Sequence, residues 1–210
     1  MGPASPQPIS AVAPLVLASA SPRRRDLLRQ VNLAVEVLPA EVDEAVRAGE
    51  LAVPYAERVA ADKARATMAR LASEGHPLRA AWVLAADTVV VVDGEALGKP
   101  DSDAHARVLL GRLAGRTHEV VTAVAIGRAG AALDVEASRT AVTFRELSAR
   151  DIDAYVASGE GRDKAGSYGI QGLGAGLVTR VEGCYFNVVG LPLSRTLSRL
   201  VALGVLPAWP

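Results

Sequence analysis

A single carboxylate stands inside a strongly apolar stretch of the chain. Asp87 lies between runs of Ala, Val and Leu in residues 82–92. Such runs are typical of β-strands that are buried on both faces. Burying a carboxylate is costly unless it is paired or holds a metal ion. Asp87 is therefore a candidate metal ligand or general base at the rim of a cleft; the alternative is a carboxylate that caps a strand end or stabilises a turn.

Lysine is rare in this chain, which has 23 Lys and Arg residues but only three lysines. Lys63 falls on the apolar face of an amphipathic helix predicted over residues 54–72. Its stem either carries the charge to the surface or places it in a site. Lys99 follows a predicted hairpin in Gly-Lys-Pro, and Lys164 lies in a glycine-rich segment. A lysine is a compact and mobile charge, so each of the three is a candidate ligand for an anion.

Three consecutive arginines follow a short predicted strand at residues 15–18. Ser21 is a good N-cap and Pro22 suits the first position of a helix. Arg23 and Arg24 are then poorly placed for helix stability, because the positive end of the helix dipole disfavours cations. An anion would offset that conflict, and a strand, a serine-rich turn and a helix N-terminus form an anion site. A polyphosphate fits these groups, and a solvated basic helix start is the alternative.

An acidic loop follows the next predicted strand, at residues 34–38. It holds Glu41, Asp43 and Glu44. An acidic loop alone is usually a solvated loop. A metal-binding role for Glu41 becomes plausible where it meets Asp87 in the fold.

Residues 158–177 contain seven of the 19 glycines of the chain. A flexible linker is one interpretation. We favour a packed loop in which glycine permits unusual φ angles or a close backbone approach to a ligand, because four large side chains punctuate the glycines: Tyr168, Ile170, Leu173 and Leu177. Gln171 adds a side-chain amide that can pair with a nucleobase edge.

Composition bounds the class of protein. The chain has 210 residues, half of them hydrophobic, and a formal net charge of zero. We expect one domain over residues 15–210 after a disordered, proline-rich head at residues 1–14. Zero net charge argues against nucleic-acid and membrane partners, and no apolar run reaches transmembrane length. The single cysteine, Cys184, excludes an internal disulfide, and a cytoplasmic location is expected.

The remaining pattern alternates strands with helices. Helices are predicted over residues 102–113, 148–158 and 191–203. Two long strands are predicted over residues 118–128 and 133–144, joined by an Ala-Gly turn, with a further strand at residues 178–181. The pattern contains no internal repeat and no change of composition that would mark a second independent domain.

Six motifs in this order resemble those of the Maf family. They are Ser-Ala-Ser-Pro-Arg-Arg at 19–24, Glu-Val-Asp-Glu at 41–44, Lys-Ala at 63–64, Ala-Asp-Thr at 86–88, Gly-Lys-Pro at 98–100 and Asp-Lys-Ala-Gly-Ser-Tyr-Gly-Ile-Gln-Gly at 163–172. The resemblance runs from about residue 15 to 203. It implies an α/β fold with a long mixed sheet, flanking helices, two lobes and a deep cleft, in a protein that often forms homodimers.

The resemblance also implies an activity and its residues. Members of the family hydrolyse a nucleoside triphosphate to the monophosphate and pyrophosphate with a divalent cation, Mg²⁺ or Mn²⁺. Carried over by motif, Asp87 would be the catalytic carboxylate and, with Glu41, a metal ligand. Phosphate binding would fall to Ser19, Arg23, Arg24, Lys63, Lys99 and Lys164. The motifs are similar to those of the dTTP/UTP branch, in which Arg24, Thr88 and Gln171 would set specificity.

The residues themselves suit this chemistry. Attack of water on the α-phosphorus releases pyrophosphate, whose charge a metal and cations can neutralise, so no general acid is obligatory. Asp87 would serve as base, as metal ligand or as both. The Gln171 amide could pair with O4 and N3–H of uracil or thymine. Two alternatives are a nucleotide-binding regulator of cell division without turnover and a hydrolase of another phosphoanhydride.

Overall fold

The computed structural model describes residues 11–73 and 76–208. Its strands are β1 (Leu15–Leu17), β2 (Glu36–Val37), β3 (Trp82–Val92), β4 (Glu95–Leu97), β5 (Thr117–Gly127), β6 (Asp134–Phe144) and β7 (Val178–Glu182). Its helices are α1 (Pro22–Gln30), α2 (Ala52–Leu71), α3 (Asp103–Leu113), α4 (Ala149–Ser158), α5 (Tyr185–Val189) and α6 (Leu193–Ala202). Short 3₁₀ turns cover Ala165–Ser167 and Gly172–Leu177.

All seven strands form one mixed sheet in the order β2-β1-β3-β5-β6-β7, with β4 paired to β3. Strand β1 runs parallel to β2 and β3, and every other pairing is antiparallel. The sheet therefore changes from parallel to antiparallel pairing at β3, the strand that contains Asp87. The predicted α/β fold with a long mixed sheet and flanking helices is confirmed.

The two faces of the sheet are covered by different kinds of core. Helix α2 packs on one face through small residues such as Ala56, Ala60 and Ala64, which meet β3 and β5. Helices α1, α3, α4 and α6 cover the other face with a core rich in leucine. Small residues let the axis of α2 lie close to the sheet, which brings its polar side chains within reach of β3.

Most predicted elements are found within a few residues of their expected bounds. The hairpin between β3 and β4 turns at Asp93 and Gly94, which both have positive φ (55° and 77°), as a type I′ turn requires. The strand predicted at residues 34–38 is reduced to the two exposed residues of β2. The short helix α5 was not predicted, since five residues are too few to show a helical period.

The chain packs from residue 11 rather than from residue 15. Val12 donates a backbone hydrogen bond to the carbonyl of Val205 (2.9 Å), and Ala11 and Ala13 lie against the core. The rest of the expected disordered head, residues 1–10, lies outside the described residues. Among the helices of the described ranges, none combines the length and the apolar character needed to cross a bilayer.

Candidate active site

A cleft of about 840 Å³ opens beside β3, and every predicted catalytic, phosphate-binding, specificity and metal residue lines it. Its walls come from β1, α1, the loop before α2, β3, the turn after β4 and the glycine-rich segment. The predicted residues that line it are Ser19, Arg23, Arg24, Glu41, Lys63, Asp87, Thr88, Lys99, Lys164 and Gln171. The volume is in the usual range for a small-molecule site.

Asp87 lies in the middle of β3 and is only 7% exposed. The ammonium of Lys63, reaching from α2, lies 2.8 Å from its Oδ1. The same ammonium lies 2.8 Å from Oε1 of Glu44. We name Glu44, Lys63 and Asp87 the carboxylate cluster; two carboxylates and one ammonium give it a formal charge of −1. A strand-end cap or turn role for Asp87 is therefore wrong, and the ammonium of Lys63 is held by the two carboxylates instead of extending to the surface.

The acidic partner in this cluster is Glu44, which the sequence did not single out, rather than Glu41. Burial alone raises the pKa of Glu44, but the hydrogen bond from Lys63 and the charges of Lys63, Lys99 and Arg24 outweigh it. The pKa of Glu44 therefore lies below its ordinary value. Glu41 lines the cleft nearby, and its role as a metal ligand stays a prediction.

Arg24 is buried against the cleft wall and is held by three hydrogen bonds. It donates from Nε to the carbonyl of Gly190 (2.8 Å), and from its two terminal nitrogens to Oγ of Ser19 (2.9 Å) and Oγ1 of Thr88 (3.0 Å). Burial lowers the pKa of Arg24, and the charge of Asp87 partly offsets this effect. Arg24 is thus no solvated helix start: it ties α1 to the turn after β1, to β3 and to the residue that follows α5.

Thr88 continues this network through the sheet. Neighbouring residues of a strand point to opposite faces, so Asp87 faces α2 while Thr88 faces α1. The hydroxyls of Thr88 and its cross-strand partner Thr122 are 2.9 Å apart, and Thr122 donates to the carbonyl of Asn187 (2.8 Å). Asn187 is fully buried and donates to the carbonyl of Val120 (2.9 Å). The α5 turn is thereby joined to the floor of the cleft.

A second charged group also lines the cleft. Asp163 accepts from Arg23 of α1 (3.2 Å) and from Lys164 (2.5 Å). We name Arg23, Asp163 and Lys164 the cationic cluster; its formal charge is +1. Burial raises the pKa of Asp163, but the bond from Lys164 and the charge of Arg23 bring it below the ordinary value.

Lys99 and Gln171 are exposed in the cleft. Neither side chain has a hydrogen-bonding partner among residues 11–73 and 76–208. Both are therefore available to a ligand. The backbone of Lys99 is fixed by its neighbour, because the N–H of Gly166 donates to the carbonyl of Gly98 (3.0 Å).

The glycine-rich segment is a packed loop, as predicted, and not a linker. Tyr168, Ile170 and Leu177 are buried in the core. A Cβ on Gly174 would lie 1.9 Å from the carbonyl oxygen of Gly169. The backbone at these two positions of the loop is therefore so close that only glycine fits. The prediction that Leu173 is buried is wrong: it is 63% exposed, because the 3₁₀ turn directs it to solvent.

The donor set of the cleft suits a divalent cation that arrives with phosphate. The described residues contain no cluster of three or more Asp, Glu, His or Cys side chains able to form a complete metal cage. Mg²⁺ commonly binds through one or two carboxylates together with substrate phosphates. Only one oxygen of Asp87 and one of Glu44 are engaged by Lys63. Their second oxygens are free of hydrogen bonds from the described residues.

Three acidic residues of the cleft were not predicted: Glu44, Glu160 and Asp163. Asp163 is next to the predicted Lys164 in the sequence. Its other partner, Arg23, is 140 residues away. Glu160 lies in the glycine-rich segment between two glycines, where the local sequence does not distinguish it from a solvated charge. The buried Tyr168 and Ile170 imply that the glycine-rich segment is anchored internally. That implication is the signal that could have pointed to Glu160.

The sequence of this chain is similar to those of known proteins. The family model described as "Maf-like protein" matches residues 14–203. A protein of Syntrophomonas wolfei named dTTP/UTP pyrophosphatase is 50% identical over 90% of this chain and 96% of its own. Its namesake in Myxococcus xanthus is 49% identical over 93% of this chain and 95% of its own.

A solved structure is similar at a much lower level. The nucleoside-triphosphatase, or dITP/XTP pyrophosphatase, of Mycobacterium abscessus has a TM-score of 0.43 and 17% identity, over 90% of this chain and 96% of that one. A likeness of this degree says nothing about activity. The family model and the relatives at half identity both span nearly the whole chain. The chain therefore belongs to the Maf family.

Proposed function

We propose that this protein is a nucleoside triphosphate pyrophosphatase that hydrolyses dTTP and UTP to the monophosphate and pyrophosphate. The observation that carries the proposal is the buried Asp87, held by Lys63 at the edge of a nucleotide-sized cleft. Binding alone does not require a carboxylate beside the site of an anion, because it would repel the ligand. Close relatives named dTTP/UTP pyrophosphatase support the same reaction and substrate class.

The two charged clusters suit a triphosphate. The cationic cluster and the exposed Lys99 can hold the β- and γ-phosphates, while the carboxylate cluster faces the α-phosphorus. A water attacks that phosphorus, the bond to the bridging oxygen breaks, and pyrophosphate leaves with the electron pair. Lys63 fixes one oxygen of Asp87, so the other is left to orient the water and take its proton.

A divalent cation, Mg²⁺ or Mn²⁺, would neutralise charge on the phosphates and polarise the reacting phosphorus. Asp87 and Glu41 are the ligands that we propose, and Glu44 is a third carboxylate within the same wall. Among the described residues, five cationic and five anionic side chains line the cleft, so they do not by themselves balance a triphosphate. This balance favours a substrate that arrives with its own cation.

Base recognition falls to the exposed Gln171 at the far side of the cleft. Its amide can donate to O4 and accept from N3–H of uracil or thymine. Cytosine presents the reverse order of donor and acceptor. The buried Arg24 and the half-buried Thr88 are bonded to each other on the lining of the cleft and so do not form a free surface. We therefore assign Gln171 the direct contact with the base, and Arg24 and Thr88 the shape of the pocket.

The test is pyrophosphate release by the purified protein from dTTP, UTP, dCTP, dATP and dGTP, with Mg²⁺, Mn²⁺ or a chelator. We expect metal-dependent release that is fastest with dTTP and UTP and is lost in Asp87→Asn. Gln171→Ala should remove the preference for thymine and uracil. Equal rates on purines would refute the assigned base recognition, and nucleotide binding without release would favour the regulator instead.

The association state has its own test. The family resemblance predicts a homodimer, and light scattering coupled to size-exclusion chromatography measures it directly. A mass near twice the monomer mass of 21.8 kDa is the expected result.

A further inference from the structure

Glu160 makes an unusual set of contacts for a half-buried carboxylate. Its Oε1 accepts from the N–H of Gly174 (2.8 Å) and from the hydroxyl of Tyr155 (2.9 Å). Its Oε2 accepts from the N–H of Leu173 (2.8 Å). Burial raises the pKa of Glu160, but these bonds and the charge of Lys164 hold it below the ordinary value. The side chain therefore acts as an ionised acceptor for backbone N–H groups 13 and 14 residues further along the chain.

The same carboxylate also reaches the other side of Gln171. The hydroxyl of Tyr155, which donates to Glu160, accepts from the N–H of Gly169 (3.1 Å). Gln171 thus lies between two backbone anchors, Gly169 on one side and Leu173 with Gly174 on the other. The first anchor is linked to the carboxylate of Glu160 through the hydroxyl of Tyr155, and the second is bonded to that carboxylate directly.

Backbone packing shows how closely the segment follows this anchor. A Cβ on Gly172 would lie 2.4 Å from Oε2 of Glu160, and Gly172 has a φ of 66°. The residue next to Gln171 therefore passes over the carboxylate where a side chain has no room. The backbone of Gln171 itself is extended (φ −93°, ψ 163°), and its side chain is exposed in the cleft.

Glu160 also connects the base side of the cleft to the phosphate side. Its backbone carbonyl accepts a hydrogen bond from the ammonium of Lys164, which belongs to the cationic cluster. The side chain of Glu160 holds the backbone that follows Gln171, and its main-chain carbonyl holds the ammonium of Lys164. One residue therefore fixes the spacing between the two groups expected to contact base and phosphate.

We propose that Glu160 is a positioning residue that sets base selectivity by fixing the backbone on both sides of Gln171. Glu160 need not touch the substrate. This role deepens the proposed function, since it rests on Gln171 reading the base in the same cleft. Loss of the carboxylate would leave Gln171 present but free to adopt orientations that also accept cytosine.

The test compares Glu160→Gln, Glu160→Ala and Tyr155→Phe with the wild type. Hydrogen bonds to a charged acceptor are worth more than those to a neutral one. We therefore expect the ratio of kcat/KM for dTTP to that for dCTP to fall about tenfold in Glu160→Gln and further in Glu160→Ala. Tyr155→Phe removes one of the anchors and should cause a smaller fall. The loss should reside in KM for dTTP, with kcat nearly unchanged.

Glu146→Gln is the matched control, because Glu146 is an exposed glutamate outside the cleft; its selectivity should equal that of the wild type. A uniform fall of kcat on both nucleotides, with the selectivity ratio unchanged, would overturn the proposal. Tyr155→Phe keeps the buried ring, so it answers the question if the Glu160 variants fail to fold.

Calorimetric binding of dTTP and dCTP separates this proposal from the proposed function. If no nucleotide is hydrolysed, the selectivity of Kd still tests Glu160, and its loss in Glu160→Gln would support the role. If the wild type releases pyrophosphate but binds both nucleotides equally, the Glu160 proposal fails and the hydrolase stands.

Discussion

Two walls of one cleft are built by different means. The wall that contains the carboxylate cluster consists of a central strand and a long helix, which are joined by the ion pair between the side chains of Asp87 and Lys63. The other wall is the segment 158–177, whose shape depends on backbone hydrogen bonds to Glu160 and on glycines packed against their neighbours. In the first wall the fold positions charged side chains, whereas in the second wall it positions the main chain.

This difference predicts how each wall responds to change. A substitution of Asp87 or Lys63 alters the proposed reacting group or its immediate partner while the fold around it stays in place, so the effect should fall on kcat. A substitution in the segment alters the position of groups that bind substrate, so the effect falls on KM, on selectivity and on stability.

The largest expected effect is that of Asp87→Asn, which removes the base but keeps the shape. We expect kcat for dTTP to fall by roughly 10²–10⁴, the usual range for a positioned base. Glu44→Gln is the matched comparison, because Glu44 is bonded to the same ammonium but its side chain is 41% exposed. Exposed pairs contribute little, so its kcat should change less than about fivefold. Equal effects of the two changes, measured by steady-state kinetics, would remove Asp87 from its special role.

A smaller loss is expected from Lys63→Met. This change leaves two carboxylates without their shared cation and removes the bond that orients Asp87. The loss of a charge-assisted hydrogen bond corresponds to a fall in kcat of roughly 10- to 100-fold. Lys63→Arg should restore part of the rate, because it keeps the charge but changes the geometry. A kcat for Lys63→Met within twofold of the wild type would contradict the role of Lys63.

Gly172→Ala tests the wall formed by residues 158–177. The new methyl group would meet Glu160, and the φ of 66° is unfavourable for alanine. We expect a loss of about 1–2 kcal/mol in the free energy of unfolding, a raised KM for dTTP and a kcat within about threefold of the wild type.

Gly176→Ala is its control in the same segment, since a Cβ there meets no atom within 4 Å. Denaturant titration and steady-state kinetics give both values. A kcat effect in Gly172→Ala as large as that of Lys63→Met would erase the distinction between the walls.

The smallest effect on turnover is expected at His118, beneath the glycine-rich segment. Its Nε2 lies 2.7 Å from the hydroxyl of Tyr168, and burial lowers the pKa of His118 to about 4. The unfolded chain binds a proton near the ordinary value of about 6.5, so folding stability should decline as the pH falls from about 6.5 towards 4. The slope from this group approaches about 1.4 kcal/mol per pH unit.

His118→Gln should flatten that decline without changing kcat at neutral pH. Denaturant unfolding of both proteins between pH 6.5 and 5 gives the clearest comparison, because most carboxylates titrate below that range. Identical pH profiles for the two proteins would refute the contribution of His118.

The same contrast explains what the sequence could predict. Asp87 and Lys63 were found because a charge inside an apolar, periodic stretch breaks the pattern of its own element. The fold was predictable for a related reason, since β3, β5 and α2 are long enough to show their period. Motif resemblance then gathered the remaining cleft residues into one site.

Glu44, Asp163 and Glu160 escaped because their partners are distant in sequence. Glu44 stands in an irregular loop, where an acidic residue is ordinary. Asp163 and Glu160 are recognisable only once the chain has brought Arg23 and the N–H groups of Leu173 and Gly174 to them. The sequence pattern within a helix or strand predicts which of its residues are buried. Which loop residue joins a charged cluster depends on tertiary contacts between segments that are distant in sequence.

The alanines of α2 carry a consequence for how this chain can vary. Ala56, Ala60 and Ala64 are fully buried between the helix and the sheet. Their methyl groups set the separation across which Lys63 reaches Asp87. A larger residue at any of them would push the helix outward and lengthen the ion pair without touching a ligand. The most chemically inert positions of the chain are therefore among those where drift in side-chain size most directly alters reactivity.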